Sequence, residues 1–218
     1  MTTKPTEYRF SLLFFTLIAT IVIAPVVNDY PLFRVAYDLF LSLTLILGCF
    51  AISKKRVVPF IASFFALPML MSVWVHLSGK STVIWLLIGK CSGIIFYAII
   101  IGVIIAFIFS ARKVDTEVIA AALVVYLFIG VMVGIAYSII EMLQPGSFNM
   151  TSSNNSGASA DFIYYSFITL TTVGYGDITP VSGFARSLSM LEGIIGQSYM
   201  AVLVARLVGM QVAFSEQQ

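Results

Sequence analysis

The chain has 218 residues, 60% of them hydrophobic and 10% charged, with a formal net charge of +2. Its mean hydropathy of +1.02 lies far outside the range of soluble domains and defines a membrane protein by composition alone. Length by itself allows one or two domains, and no nucleic-acid partner is expected.

Apolar segments of about 20 residues each divide the chain into six expected transmembrane spans: 10–27, 33–52, 57–77, 82–109, 118–143 and 184–208. The first follows Lys4 and Arg9, as the core of a signal peptide would. It runs on to Ala24-Pro25-Val26-Val27 with no small-residue cleavage site, and Glu7 interrupts the basic region, so a retained span is expected. Cys49 and Cys91 both fall inside spans, where they read as small apolar packing residues and not as a disulfide framework. His76, the single histidine, sits at the outer end of the third span. With one histidine, no Gly-x-Ser-x-Gly elbow and no phosphate-cradling glycine loop, nothing points to an enzyme.

Basic residues set the expected orientation. With the N-terminus in the cytoplasm, Lys4, Arg9, Lys54, Lys55, Arg56, Arg112, Lys113 and Arg206 lie inside. Arg34, Lys80 and Arg186 fall outside, and Lys90 lies within the fourth span. Six spans return the C-terminus to the cytoplasm.

The charged stretch Ser110 to Glu117 divides the chain. Before it, residues 1–110 hold four spans, and residues 111–117 are expected to form a cytoplasmic linker, helical at the membrane interface. Residues 118–209 hold the last two spans, followed by a short tail over 210–218. Between those two spans, 144–159 is rich in Ser, Asn and Gly, and reads as an extracellular, partly mobile turret. It contains the sequons Asn149-Met150-Thr151 and Asn154-Asn155-Ser156, taken here as polar loop and not as sugar sites.

After the turret come an expected short helix, 160–171, and the most informative residues of the chain: Thr171-Thr172-Val173-Gly174-Tyr175-Gly176-Asp177-Ile178-Thr179-Pro180. Gly174 and Gly176 can take positive φ at little steric cost. That freedom lets neighbouring carbonyls turn toward one axis, where they would replace the hydration shell of a cation without adding charge. Thr172 adds a hydroxyl oxygen, and the Tyr175 ring can brace the loop from behind.

The stretch from about Glu117 to Gly209 resembles the pore domain of the tetrameric potassium channel family. It does so through the TVGYG run at 172–176 and through Tyr164-Tyr165-Ser166-Phe167-Ile168-Thr169-Leu170-Thr171-Thr172, which is similar to the family's pore helix. The resemblance implies an all-α membrane protein with a four-helix sensor-like domain, a two-helix pore domain and a re-entrant pore helix. It implies a homotetramer in the plasma membrane that passes K+ as its permeant ion, with no cofactor, and with K+ held at Thr172, Val173, Gly174 and Tyr175 and the filter closed by Gly176. Tyr164, Tyr165, Thr171, Asp177 and Glu141 are implied as filter support.

This chain departs from the family at three places. Tyr164 and Tyr165 stand where many members carry a Trp pair. Ile168 stands where some carry a glutamate that partners the aspartate after the filter, so Asp177 must bond elsewhere. The fourth span has Lys90 as its sole basic residue, where a voltage sensor has a basic ladder. One charge moved through 100 mV is worth about 2.3 kcal/mol, so four copies supply about 9 kcal/mol, too little for steep voltage gating. Lys90 is open to pairing with Asp38, to snorkelling or to a polar crevice, and a structural role is expected.

Gly196 lies at the spacing of the family's hinge glycine, with Gly193 close by; either bending or close helix packing accounts for them. Glu192 pairs either with Arg186 or with a partner on another segment. The rival readings are a subunit of a potassium uptake transporter, disfavoured because this chain has one filter-like loop and not four, and a non-conducting regulatory or assembly subunit.

Overall fold

The structure, a computed structural model, describes residues 9–23, 41–48, 57–77, 82–111, 113–150 and 159–215. Among the described residues seven helices follow one another: α1 (Arg9–Ile23), α2 (41–48), α3 (Val57–Leu77), α4 (Val83–Ser110), α5 (Thr116–Leu143), α6 (Ser159–Leu170) and α7 (Gly183–Ser215). Two short strands, β1 (Phe148–Met150) and β2 (Ile178–Pro180), pair antiparallel with Phe148 opposite Pro180 and Met150 opposite Ile178. The protein is mostly helical. Among the described residues three helices, α4, α5 and α7, are long and apolar enough to cross a membrane, while α1 and the middle of α3 are shorter apolar helices.

Several boundaries differ from those expected. The short helix runs 159–170 and not 160–171, because Thr171 and Thr172 leave it in a tight turn. The last helix begins at Gly183 and continues to Ser215, through much of the expected tail. Residues 113–115 of the expected helical linker are not helical. Asp115 instead caps α5, its Oδ1 accepting the Val118 amide at 2.8 Å. Within the expected turret, Phe148–Met150 forms β1, paired with β2, so Asn149 is a strand residue. Residues 151–158, with Asn154, lie outside the described residues, as do Cys49, Asp38 and Arg112.

Lipid tails are as apolar as leucine, so packing and polar ties hold such helices together rather than a hydrophobic drive. The core supplies the packing: Phe96 and Tyr97 of α4, Phe128 of α5, and Leu13 and Leu17 of α1 are almost fully buried. Tyr97 and Phe128 place their rings 5.2 Å apart, and Phe10 and Phe107 theirs 4.9 Å apart.

Two long-range caps supply the ties. Glu117 at the start of α5 accepts the amides of Phe10 and Ser11 at 2.9 and 3.4 Å and the Ser11 hydroxyl at 2.6 Å. It thereby satisfies orphan donors at the N-terminus of α1, where a carboxylate also meets the helix dipole favourably. At the other end of the front segment, Arg206 of α7 donates Nη2 to the carbonyls of Ile108 and Phe109, each at 3.0 Å, at the C-terminus of α4. Of the helices before residue 110, α1 therefore docks on α5, and α4 on α5 and α7, of their own chain.

Candidate functional site

The loop between α6 and β2 carries the chemistry. At the end of α6 the Thr171 amide bonds the Phe167 carbonyl and the Thr172 amide bonds the Thr169 carbonyl, each at 3.0 Å. The chain then reverses, and the Gly174 amide returns to the Ile168 carbonyl at 3.1 Å. Positive φ recurs at every second residue: +60° at Thr172, +53° at Gly174 and +81° at Gly176. Alternation of this kind turns successive peptide planes the same way, where an ordinary strand would alternate them. Gly174 and Gly176 adopt it freely, but Thr172 is β-branched and is strained there. Thr172 is the sole non-glycine residue with positive φ among the described residues. Strain of that sort persists where the surroundings over-determine it, and it concentrates at functional sites.

Residues 171–176 are all exposed, Tyr175 at 73%. From α7, the Gln197 amide nitrogen lies 3.4 Å from the Thr172 hydroxyl oxygen.

Behind the loop the two tyrosines divide their work. Tyr164 donates its hydroxyl to Asp177 Oδ2 at 2.8 Å, which provides the partner that Ile168 cannot. Asp177 Oδ1 is buried without a partner among the described residues. Tyr165 meets Ser189 Oγ of α7 at 2.8 Å. Ser189 already donates its single proton to the Ala185 carbonyl at 2.8 Å, so Tyr165 is the donor.

The remaining expected residues fall in several places. Glu141 is a brace, but of a different segment from the one expected: its carboxylate accepts the amides of Gly146 and Phe148 at 2.8 and 3.1 Å. It secures β1 and reaches the exit of the loop only through the β1–β2 pair. Lys90 lies between the front helices and the C-terminal segment, donating to Ser138 Oγ at 2.8 Å and Ser159 Oγ at 2.7 Å.

Gly196 is required by packing, since a Cβ there would collide with the Leu170 carbonyl oxygen and lie 2.9 Å from Leu170 Cδ1. Gly193 has nothing within 4 Å of the same position. Arg186 turns to the Pro180 carbonyl at 3.3 Å and not to Glu192.

Glu192 is the residue whose importance sequence reasoning understated. It is 1% exposed and is held by Tyr137 of α5 at 2.5 Å and by Ser166 of α6. The available signal was a carboxylate well inside a membrane-length segment, which marks a candidate functional site by default.

The same stretch of chain is similar to known proteins. Residues 116–212, from the start of α5 through most of α7, match the family model described as "Ion channel". The chain is 33% identical over 88 residues to two-pore potassium channel 2 of Arabidopsis thaliana, covering 40% of this chain and 18% of that one. It is 36% identical over 64 residues to two pore potassium channel c of Oryza sativa subsp. japonica, covering 29% and 14% respectively. Protein LctB of Bacillus caldotenax is 38% identical over 60 residues, 28% of this chain and 44% of that protein. The matches thus span less than a fifth of either plant channel's length. Over residues 116–212 the chain is thus similar to the ion-channel family, and part of it is similar to proteins named as potassium channels.

Proposed function

We propose that the protein is a six-span, homotetrameric channel that conducts K+ passively across the cell membrane. In this reading four copies of Thr172, Val173, Gly174, Tyr175 and Gly176 surround one axis and form the selectivity filter. K+ is held at Thr172 to Tyr175, and Tyr164, Tyr165, Thr171 and Asp177 support the loop. K+ is the permeant ion, and the reading calls for no cofactor. Both termini lie in the cytoplasm, with the Thr172 end of the filter facing inward.

The observation that carries this reading is the alternating positive φ at Thr172, Gly174 and Gly176. A loop built that way presents carbonyl oxygens in a row, which suits replacement of an ion's hydration shell. One loop cannot encircle an ion, and this supports a tetramer. So does the state of α7: 17% of its apolar stretch is buried within the chain, against 67% for α5, which leaves a long helix face for partners and for a cavity. The C-termini of four α6 helices would aim their negative dipole ends at that cavity.

Lys90 is the one basic residue in α4, and its bonds to Ser138 and Ser159 tie it to the C-terminal segment. This supports a channel that is not steeply voltage-gated. Gly196 is taken as a point of close helix contact, with any hinge placed at Gly193, where the surroundings leave room.

The test is ion flux from purified protein in liposomes. Rubidium and thallium should pass and sodium hardly, and Gly174→Ala should abolish selective flux because a Cβ opposes φ of +53°. Absence of flux from well-folded protein would favour a non-conducting subunit, and monomers or dimers on cross-linking in detergent would remove the tetramer.

A further inference from the structure

Behind α6, three helices meet at one buried carboxyl group. Ser166 Oγ lies 2.6 Å from the Gly130 carbonyl oxygen and in still shorter contact with Glu192 Oε1. A serine hydroxyl carries one proton, and a carbonyl oxygen can only accept. Ser166 must therefore donate to Gly130. That single proton cannot also serve Glu192 Oε1 in full. An ionised Glu192 would then press a carboxylate oxygen against a hydroxyl lone pair, in a position 1% exposed to solvent.

The contact is favourable only if Glu192 brings the proton itself. On its other oxygen Tyr137 donates at 2.5 Å, an arrangement that a neutral acid's carbonyl oxygen accepts equally well. Among the described residues, the groups bonded to Glu192 carry no positive charge. They are Tyr137 of α5 and Ser166 of α6, and one step further lies Tyr165 of α6, which packs on Tyr137 at 4.9 Å and bonds Ser189 of α7; Tyr126 of α5 turns its hydroxyl to the Leu170 carbonyl.

We infer that Glu192 is a neutral carboxylic acid that donates to Ser166 Oγ, and that it acts as a positioning residue for the filter loop by locking α7 and α5 onto α6. Ser166 sits five residues before Thr171, and the same α6 turns carry Tyr164 to Asp177 and the Ile168 carbonyl to Gly174. A neutral acid suits the place. It makes a donor and an acceptor bond within apolar surroundings, where an unpaired charge would be expelled or neutralised. The role as positioning residue rests on the channel reading above; the protonation state does not.

Infrared spectroscopy of the protein in liposomes at neutral pH reads the protonation state directly. A protonated carboxyl shows a carbonyl stretch above the amide band, which moves on deuteration and on isotopic labelling of glutamate. One such band is expected, lost in Glu192→Gln and shifted in Ser166→Ala. If labelled wild type shows only carboxylate bands, the inference fails without recourse to any variant.

Flux reads the positioning role. Glu192→Gln keeps a donor for Ser166 and an acceptor for Tyr137, so rubidium-over-sodium selectivity should stay close to wild type. Glu192→Leu leaves the Tyr137 hydroxyl without its acceptor and Ser166 Oγ without its donor, and should lower that selectivity about tenfold. Equal selectivity in the Gln and Leu variants would overturn the positioning role. A protein with the carboxyl band and no potassium or rubidium flux at all would sink the channel reading and leave the protonation state standing.

Discussion

The Tyr164 hydroxyl donates to Asp177 Oδ2 across 2.8 Å, joining the middle of α6 to the residue that follows the filter-like loop. Asp177 has no second partner among the described residues, because Oδ1 is buried and unbonded. Tyr164→Phe therefore strands a carboxylate rather than merely weakening a network. We expect a loss of about 1–3 kcal/mol in the stability of the loop region. It should appear as reduced rubidium-over-sodium selectivity in liposome flux while the assembly stays intact on size-exclusion chromatography.

Gly193 and Gly196 should part company. An alanine at 196 forces its Cβ into the Leu170 carbonyl, which is backbone and cannot step aside. Overpacking of this kind costs about 1–3 kcal/mol, so Gly196→Ala should lower the melting temperature of the detergent-solubilised protein. Gly193→Ala meets nothing within 4 Å and should melt like wild type. A Gly196→Ala protein as stable as wild type would show that α7 shifts away from α6 more readily than its packing implies.

Lys90 links α4 to Ser138 and Ser159. Lys90→Met removes both bonds, and the expected outcome is a stability loss of about 1–3 kcal/mol with an unaltered voltage response. Planar-bilayer recording decides the second part. A steep conductance–voltage curve that flattens in the variant would mean that the front helices sense voltage after all.

Glu117 holds the N-terminus of α1 through Phe10 and Ser11. Glu117→Ala should cost about 1 kcal/mol, the worth of a good cap. Amide hydrogen exchange at Phe10 and Ser11 should quicken accordingly, with exchange in α6 unchanged. Faster exchange in α6 as well would show that α1 supports the C-terminal half more directly than its contacts indicate.

Arg206 bonds two successive carbonyls, those of Ile108 and Phe109, and lies 4.2 Å from the centre of the Phe109 ring. Lysine keeps the charge and loses the planar fork that makes this double contact. Arg206→Lys should accordingly loosen the end of α4, seen as faster protease cleavage near residue 110 with little change in ion selectivity.

Local chemistry made much of this protein legible before any fold was known. Apolar runs located the long helices, since a span must satisfy its own backbone in lipid. The glycines at 174 and 176 announced positive φ, because few other residues accept it. The absence of a glutamate at Ile168 correctly implied that Asp177 bonds elsewhere. These are properties of single residues or of short windows.

Relations between distant residues needed the tertiary structure. Nothing in the sequence pairs Glu117 with Phe10, Arg206 with Ile108, or Glu192 with Ser166 and Tyr137. The same holds for the β1–β2 pair, whose strands of three residues are too short to leave a periodic pattern. Side-chain hydroxyls and carboxylates carry no address; each bonds to whatever the folded backbone brings within about 3 Å. Composition and spacing thus marked a membrane protein and located its filter-like loop, while packing alone decided which buried group answers which.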